Sequence, residues 1–280
     1  MFVFEAATSA ISYYTLAVAL GCLATAALLM PHGEPTELRV ELFSLAIKLL
    51  PLFIAASVVS LLFQGAKLNG GQFASLDILY RYLRYTQSGK IWGLRQCYAL
   101  LLLGGLFGCY RYSTNLAVPR SFLLLLLPLV ASRSLTSHAV AVRESTKLAV
   151  SADALHLLAT AFWAGGLPIL FWVLYHGTRK LHMAPSWTAE TVKRFSWLAV
   201  VAVTLLAITG LYQSWIQVQR LALLFETPYG QVLMLKLLLF LCMIIVGAVN
   251  LLSTKPKLFH NVKSQRLPNW LQKKLLRRIG

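Results

Sequence analysis

Three side chains hold most of the chemistry this sequence offers: His138, Asp153 and His156. Asp153 and His156 are spaced i, i+3, which puts both on one face of a helix. Trp163, seven positions beyond His156, continues that face. Two imidazoles and a carboxylate at one depth suit a borderline metal ion such as copper or zinc, with the carboxylate either ligating or orienting an imidazole from behind. The same two histidines suit the axial positions of a haem iron, and such a group of ionisable side chains also suits a proton relay. The residues alone leave all three open.

These groups lie in or beside long apolar runs. An ionisable side chain at the centre of a membrane helix costs roughly 2.5–3.5 kcal/mol and is generally retained for function. Lys48, Arg133 and Lys236 are placed in the same way. Arg133 and Lys236, together with Trp163, Tyr14 and Met234, are candidates for a pathway or for support behind the ligands. The remaining histidines read differently. His176 and His182, with Met183 beside them, His32 with Glu34 and Glu37, and His260 fall between or after the runs and read as solvated. Cys242 and Met243 are adjacent and so cannot share a helix face, and no Met-x-x-x-Met ladder is present.

The elements that must position these residues follow from composition. The chain has 280 residues, 58% hydrophobic and only 12% charged, with a mean hydropathy of +0.68. Soluble domains average about 25% charged, so a soluble domain, a disulfide scaffold and a disordered chain are excluded. Seven continuous apolar runs, 9–30, 42–63, 92–110, 121–142, 152–175, 195–218 and 229–252, each reach the roughly 20 residues a bilayer requires. A barrel would need short alternating segments. The expected fold is therefore all-α, a polytopic transmembrane bundle of seven spans. Segment 76–85 mixes aromatic and aliphatic residues with Arg81 and Arg84 and suits a short interfacial helix. His138 falls at the end of the fourth run, and Asp153 and His156 open the fifth. The short segment 143–151 makes the two runs antiparallel neighbours.

Lys and Arg number 26 against 9 Asp and Glu, a net charge of +17. In a membrane protein this charge belongs to cytoplasmic loops and anionic lipid rather than to nucleic acid. With the N-terminus outside, the inner segments hold Arg39, Arg111, Arg120, Arg179, Lys180, Lys193, Arg194 and eight further Lys and Arg in the tail, 15 in all. The outer segments hold Lys67, Arg81, Arg84, Lys90, Arg143, Lys147 and Arg220, a total of 7. The N-terminus is therefore expected outside and the C-terminus inside. The basic tail, 255–280, with Trp270, Leu271, Leu275 and Leu276, reads as an anchor to anionic lipid. Cys22, Cys97, Cys109 and Cys242 lie within apolar runs and read as small buried hydrophobes.

A weak repeat organises the chain. Displaced by 142 positions, Ser9, Ala10, Leu16, Ala17 and Ala19 fall on Ser151, Ala152, Leu158, Ala159 and Ala161. Displaced by 141, Thr86, Gly89 and Leu94 fall on Thr227, Gly230 and Leu235. The expected organisation is a first repeat over 1–142, a second over 143–254 and the tail over 255–280, with the two repeats parallel. Tyr14 stands in the first repeat where His156 stands in the second. A counterpart of the fourth span is missing after the seventh. Walker loops, nucleophile elbows, HExxH and zinc-finger spacings are absent from the sequence, so the chain reads as a non-enzyme without an ATP motor of its own.

Together, several stretches resemble the CopD/PcoD family of copper-resistance and copper-import membrane proteins. They are His138-Ala139, the run from Asp153 through His156 and Trp163 to Gly165-Gly166, Arg194-Phe195-Ser196, Thr209-Gly210, Thr227 to Lys236 and Asn250, with Thr86 to Trp92 in the first half. Ser137 stands where the family usually has glycine, and the family usually has eight spans. The resemblance implies a bacterial inner-membrane protein that moves copper inward from the periplasm beside a periplasmic CopC-type copper-binding protein. It also implies that His138 and His156 handle the copper. A b-type haem protein using the same histidines, and a non-transporting copper sensor or scaffold, are the competing readings.

Overall fold

The computed structural model describes residues 2–31, 36–73, 75–137, 146–218 and 222–249. The described residues are helical with short turns, and seven helical segments are long and apolar enough to cross a membrane. The first span is α1 (Phe2–Ala24), continued by a π-turn at Thr25–Leu29. Then come α2 (Thr36–Leu68), the short α3 (Leu76–Tyr85), α4 (Gln87–Gly108), and α5 (Ala117–Ala131) with a 3₁₀ extension at Ser132–Thr136. The fifth span is α6 (Thr146–Thr160), a π-turn at Ala161–Gly165 and α7 (Gly166–Arg179). The last elements are α8 (Pro185–Gln217), the single turn α9 (Leu223–Glu226) and α10 (Pro228–Val249). The seven expected spans are all present. Most run past the expected bounds, because a helix continues beyond the apolar stretch that hydropathy marks.

The first span is the hub. Of its apolar window 72% is buried, against none for α10 at the periphery. Leu16, Leu20 and Leu23 are fully enclosed, in one core with Leu42, Phe43, Leu50 and Phe53 of α2, Leu126 and Val130 of α5, and Ile169 and Val173 of α7. Where the first and fifth spans cross, their backbones touch. A side chain on Gly21 would run into the Gly165 carbonyl, and one on Gly165 into the Ala17 carbonyl. Small residues permit such backbone approach between membrane helices.

Both π-turns precede a proline, Pro31 and Pro168. Proline lacks an N–H and crowds the carbonyl four residues back, and a widened turn is one way for the hydrogen-bond ladder to absorb that. Pro51 sits within the continuous α2.

Arginines fasten both ends of the first span. At the end away from the N-terminus, Arg39 Nε donates to Ala26 O (3.3 Å), Arg120 Nε to Ala27 O (3.4 Å) and Arg194 Nη1 to Met30 O (3.1 Å). These are carbonyls that the helix end leaves without amide partners, and cations there also complement the helix dipole. At the N-terminal face, Arg133 Nη2 donates to Ser9 Oγ (2.9 Å) and Nη1 to Ser12 Oγ (3.4 Å), while its guanidinium lies over the Tyr13 ring. Arg95 binds Ser132 Oγ and O, both at 2.9 Å, and Thr136 Oγ1 at 3.2 Å.

The fourth span differs from expectation. Of the expected helix to residue 142, positions 138–142 lie outside the described residues; before them α-helix gives way to 3₁₀ at Ser132 and Ser137 is extended, with ψ of 173°. The hydroxyls of Ser132, Ser134, Thr136 and Ser137 each donate to the carbonyl three residues back. Such local bonds compete with the i→i+4 ladder and tighten the turn. Of the cysteines, Cys22 is buried and Cys109 half-buried, whereas Cys97 and Cys242 are exposed. The common reading as buried hydrophobes thus holds fully for one, and the exposed pair lies on apolar spans.

Helix α3 has the bounds expected for the short amphipathic segment, Leu76–Tyr85, and buries no residue. Ser75 caps it by accepting from Ile78 N (3.4 Å), and Arg81 pairs with Asp77 at 2.9 Å. Thr86 ends it and starts α4 by accepting from Gly89 N (3.0 Å). Gly89 must be small there, since the Tyr82 carbonyl fills the space of a side chain.

Candidate metal centre

The fifth span and α8 run antiparallel, and their register is fixed at several points. Trp187 covers Gly177, the Phe195 ring lies 3.1 Å from where a Gly166 side chain would begin, and Ala159 packs on Ala202 and Leu206. Moving toward the N-terminal face, the next contact is His156 Nδ1 with Thr209 Oγ1, at 2.9 Å. The facing stripe of α8 is thus Ala202, Leu206, Thr209 and Gln213, at helical spacings of four, three and four. The facing stripe of α6 is Ala159, His156 and Asp153. Both stripes are apolar deep in the interface and polar toward the N-terminal face.

The hydrogen bonds define the state of His156. The Thr209 hydroxyl has one hydrogen, and its short contact, 2.6 Å, is to Leu205 O. With that hydrogen donated, Thr209 Oγ1 accepts from His156, which places the imidazole proton on Nδ1. Nε2 then carries the lone pair, and it makes no hydrogen bond among the described residues. A partner on the far ring nitrogen is the usual arrangement behind a metal-binding histidine. Gly210 brings α8 close on this side: a side chain built there would begin 3.6 Å from His156 Cε1.

Asp153, one turn nearer the N-terminal face, has a buried Oδ2 with no hydrogen-bond partner among the described residues. Gln213, one turn beyond Thr209, has a buried Nε2 in the same condition. The charged groups that act on His156 are Asp153 and Lys236 of α10. Tyr13 joins the first span to this region by donating its hydroxyl to Leu157 O at 2.6 Å. A neutral imidazole nitrogen beside a carboxylate supplies one borderline and one hard donor for a small cation.

His138 lies outside the described residues, so its distance to His156 is not defined. Among the described residues no three His, Cys, Asp or Glu side chains converge. Arg133 stands on the first span, bound to serines, and makes no ion pair with Asp153 or Glu226 among the described residues. Trp163 packs against the Ala159–Ala202–Leu206 cluster, and with half-exposed Tyr14 and with Met243 it lines an open apolar groove of about 660 Å³. Met234 lines a separate shallow groove with Phe225, Gln231, Leu235 and Leu238. Lys236 is exposed on α10. Thr209 and Gln213 were not singled out as site residues from sequence. The available signal was a polar pair at i, i+4, one of several polar residues in the second half of that span.

The chain matches two family descriptions. Copper resistance protein D-like, N-terminal domain, covers residues 4–146, and copper resistance protein D covers residues 189–278. The chain is 30% identical over 172 residues to copper transport protein CutJ of Bacillus subtilis (strain 168). That match takes in 61% of this chain and 31% of the relative, so the chain spans about a third of that protein's length. No solved structure matches the chain. Seven membrane-length helices, the polar α6–α8 interface and a family match over more than half of the sequence converge on one assignment: the chain belongs to the copper resistance protein D (CopD) family.

Proposed function

We propose that the chain carries copper ions through a bacterial inner membrane, and that His156 is the residue that captures them. One observation bears most of the weight: His156 Nδ1 contacts Thr209 Oγ1 at 2.9 Å while the Thr209 hydroxyl donates to Leu205 O, which leaves His156 Nε2 free to ligate one turn from the unpartnered Oδ2 of Asp153. His138 is the proposed second imidazole for the same ion. Asp153 ligates or orients. The charge asymmetry of the loops supports a periplasmic N-terminal face; the capture site then opens outward, and the proposed transport is inward. The Lys and Arg on that face oppose entry of a bare cation, which favours handover from a periplasmic CopC-type carrier. Tyr14, Trp163, Met234, Lys236 and Arg133 are proposed only as surroundings of the route.

An ion fits this interface better than a haem does. Thr209 and Gly210 close directly on the imidazole, and the two open grooves do not include His156 in their walls.

The test is copper accumulation in cells expressing the chain, with protein level in the membrane measured in parallel. His156→Ala and His138→Ala are expected to abolish the chain-dependent copper uptake at unchanged protein level. Undiminished uptake by both variants overturns the reading.

A further inference from the structure

Asp153 and Gln213 present two bare polar atoms across the α6–α8 interface. The register places them face to face. His156 and Thr209 are in direct contact, Asp153 is one turn from His156, and Gln213 is one turn from Thr209 in the antiparallel direction. Each residue lies on the face that carries its neighbour in that contact. Yet Asp153 Oδ2 and Gln213 Nε2 are both buried and do not bond to each other. Buried polar atoms in folded proteins are satisfied by protein, water or a ligand. Two complementary ones on facing stripes, each one turn beyond the same contact, are suited to share a partner between them. An acceptor on one side and a donor on the other match a water molecule, which donates to the carboxylate and accepts from the amide. Turned by half a rotation, the same amide offers Oε1, and the pair becomes two oxygen donors for a cation.

We propose that Gln213 is a binding residue of the copper site, holding with Asp153 the hydrated side of an ion whose other side is taken by His156 Nε2. This rests on the reading of His156 given above and adds a wall to the site from α8. The ion enters still carrying water, and the amide–carboxylate pair grips that water. Helix α8 thereby senses occupancy through two contacts, Thr209 behind the imidazole and Gln213 beside the ion.

The test uses the full chain in lipid nanodiscs, titrated with Cu(I) and with Cu(II) as free ions, and melted with and without copper. Gln213→Leu removes the amide at nearly constant volume. A residue that serves the ion rather than the fold gives Gln213→Leu a copper-free melting temperature equal to or above that of the intact chain. It also gives a copper affinity about tenfold weaker, in the range reported for groups that support metal ligands, and a smaller rise in melting temperature on adding copper. Gln213→Glu is expected to retain binding. Affinity unchanged in Gln213→Leu, with binding lost in His156→Ala, overturns the role of Gln213 and leaves that of His156 standing. A lowered copper-free melting temperature marks Gln213 as structural and overturns the inference as well. If His156→Ala still binds copper, the reading of His156 fails and the role proposed for Gln213 is overturned with it.

Discussion

The arginines around the first span and the cluster around His156 are both polar assemblies inside an apolar protein, and they are built to opposite ends. Arg39, Arg120, Arg194, Arg95 and Arg133 direct their guanidinium groups at carbonyls and hydroxyls of helix ends. Each of them bonds within the chain, tying helix ends of one span to another. The α6–α8 cluster keeps its capacity unspent: a lone-pair nitrogen on His156 and bare atoms on Asp153 and Gln213. A buried polar group without a partner costs about 1–3 kcal/mol. Partnered groups of this kind stabilise the fold, whereas adjacent unpartnered ones are free to take a ligand.

Breaking both assemblies at once gives the largest expected effect. Gly165→Leu forces a side chain into the Ala17 carbonyl and separates the hub from the fifth span. Overpacking of this kind costs about 3 kcal/mol or more, and the monodisperse fraction in size-exclusion chromatography is expected to collapse. Arg39→Ala tests the saturated assembly alone. It leaves the Ala26 carbonyl without its guanidinium partner, at a cost of about 1–3 kcal/mol. A clearly lower melting temperature with unchanged copper affinity in the folded fraction is expected, and an affinity change would blur the distinction.

Thr209→Val sharpens the other side. Loss of the hydroxyl removes the acceptor that holds the proton on Nδ1, so ¹⁵N NMR of labelled histidine is expected to show His156 in mixed tautomers. Copper affinity should fall about tenfold. Thr209→Ser restores the acceptor and should restore both readouts, which a purely steric role for Thr209 would not require. The smallest effect belongs to a charge pair outside either assembly. Asp77→Ala breaks an exposed i, i+4 pair with Arg81 and should shift stability by less than about 0.5 kcal/mol, with no change in copper binding.

The spans were legible because length and hydropathy are set by the bilayer, and the bounds of α3 because its amphipathic stretch is short and sharply limited. The end of the fourth span was not, since Ser132, Ser134, Thr136 and Ser137 turn the chain through local hydroxyl bonds that hydropathy does not register. Asp153 and His156 announced themselves by type and spacing. Thr209 and Gln213 did not, because a hydroxyl or an amide on a membrane helix ordinarily bonds within its own helix, and only the register with α6 shows what they face. The arginine fastenings of the first span were likewise hidden. Arg39, Arg120 and Arg194 come from three different spans and meet only after folding.

Everything proposed for copper passes through one nitrogen. The decisive measurement is the copper content per chain of the purified protein after equilibration with copper and desalting, for the intact chain and for His156→Ala. The account predicts a bound ion in the intact chain that is lost from a folded His156→Ala. Equal copper in the two would contradict it.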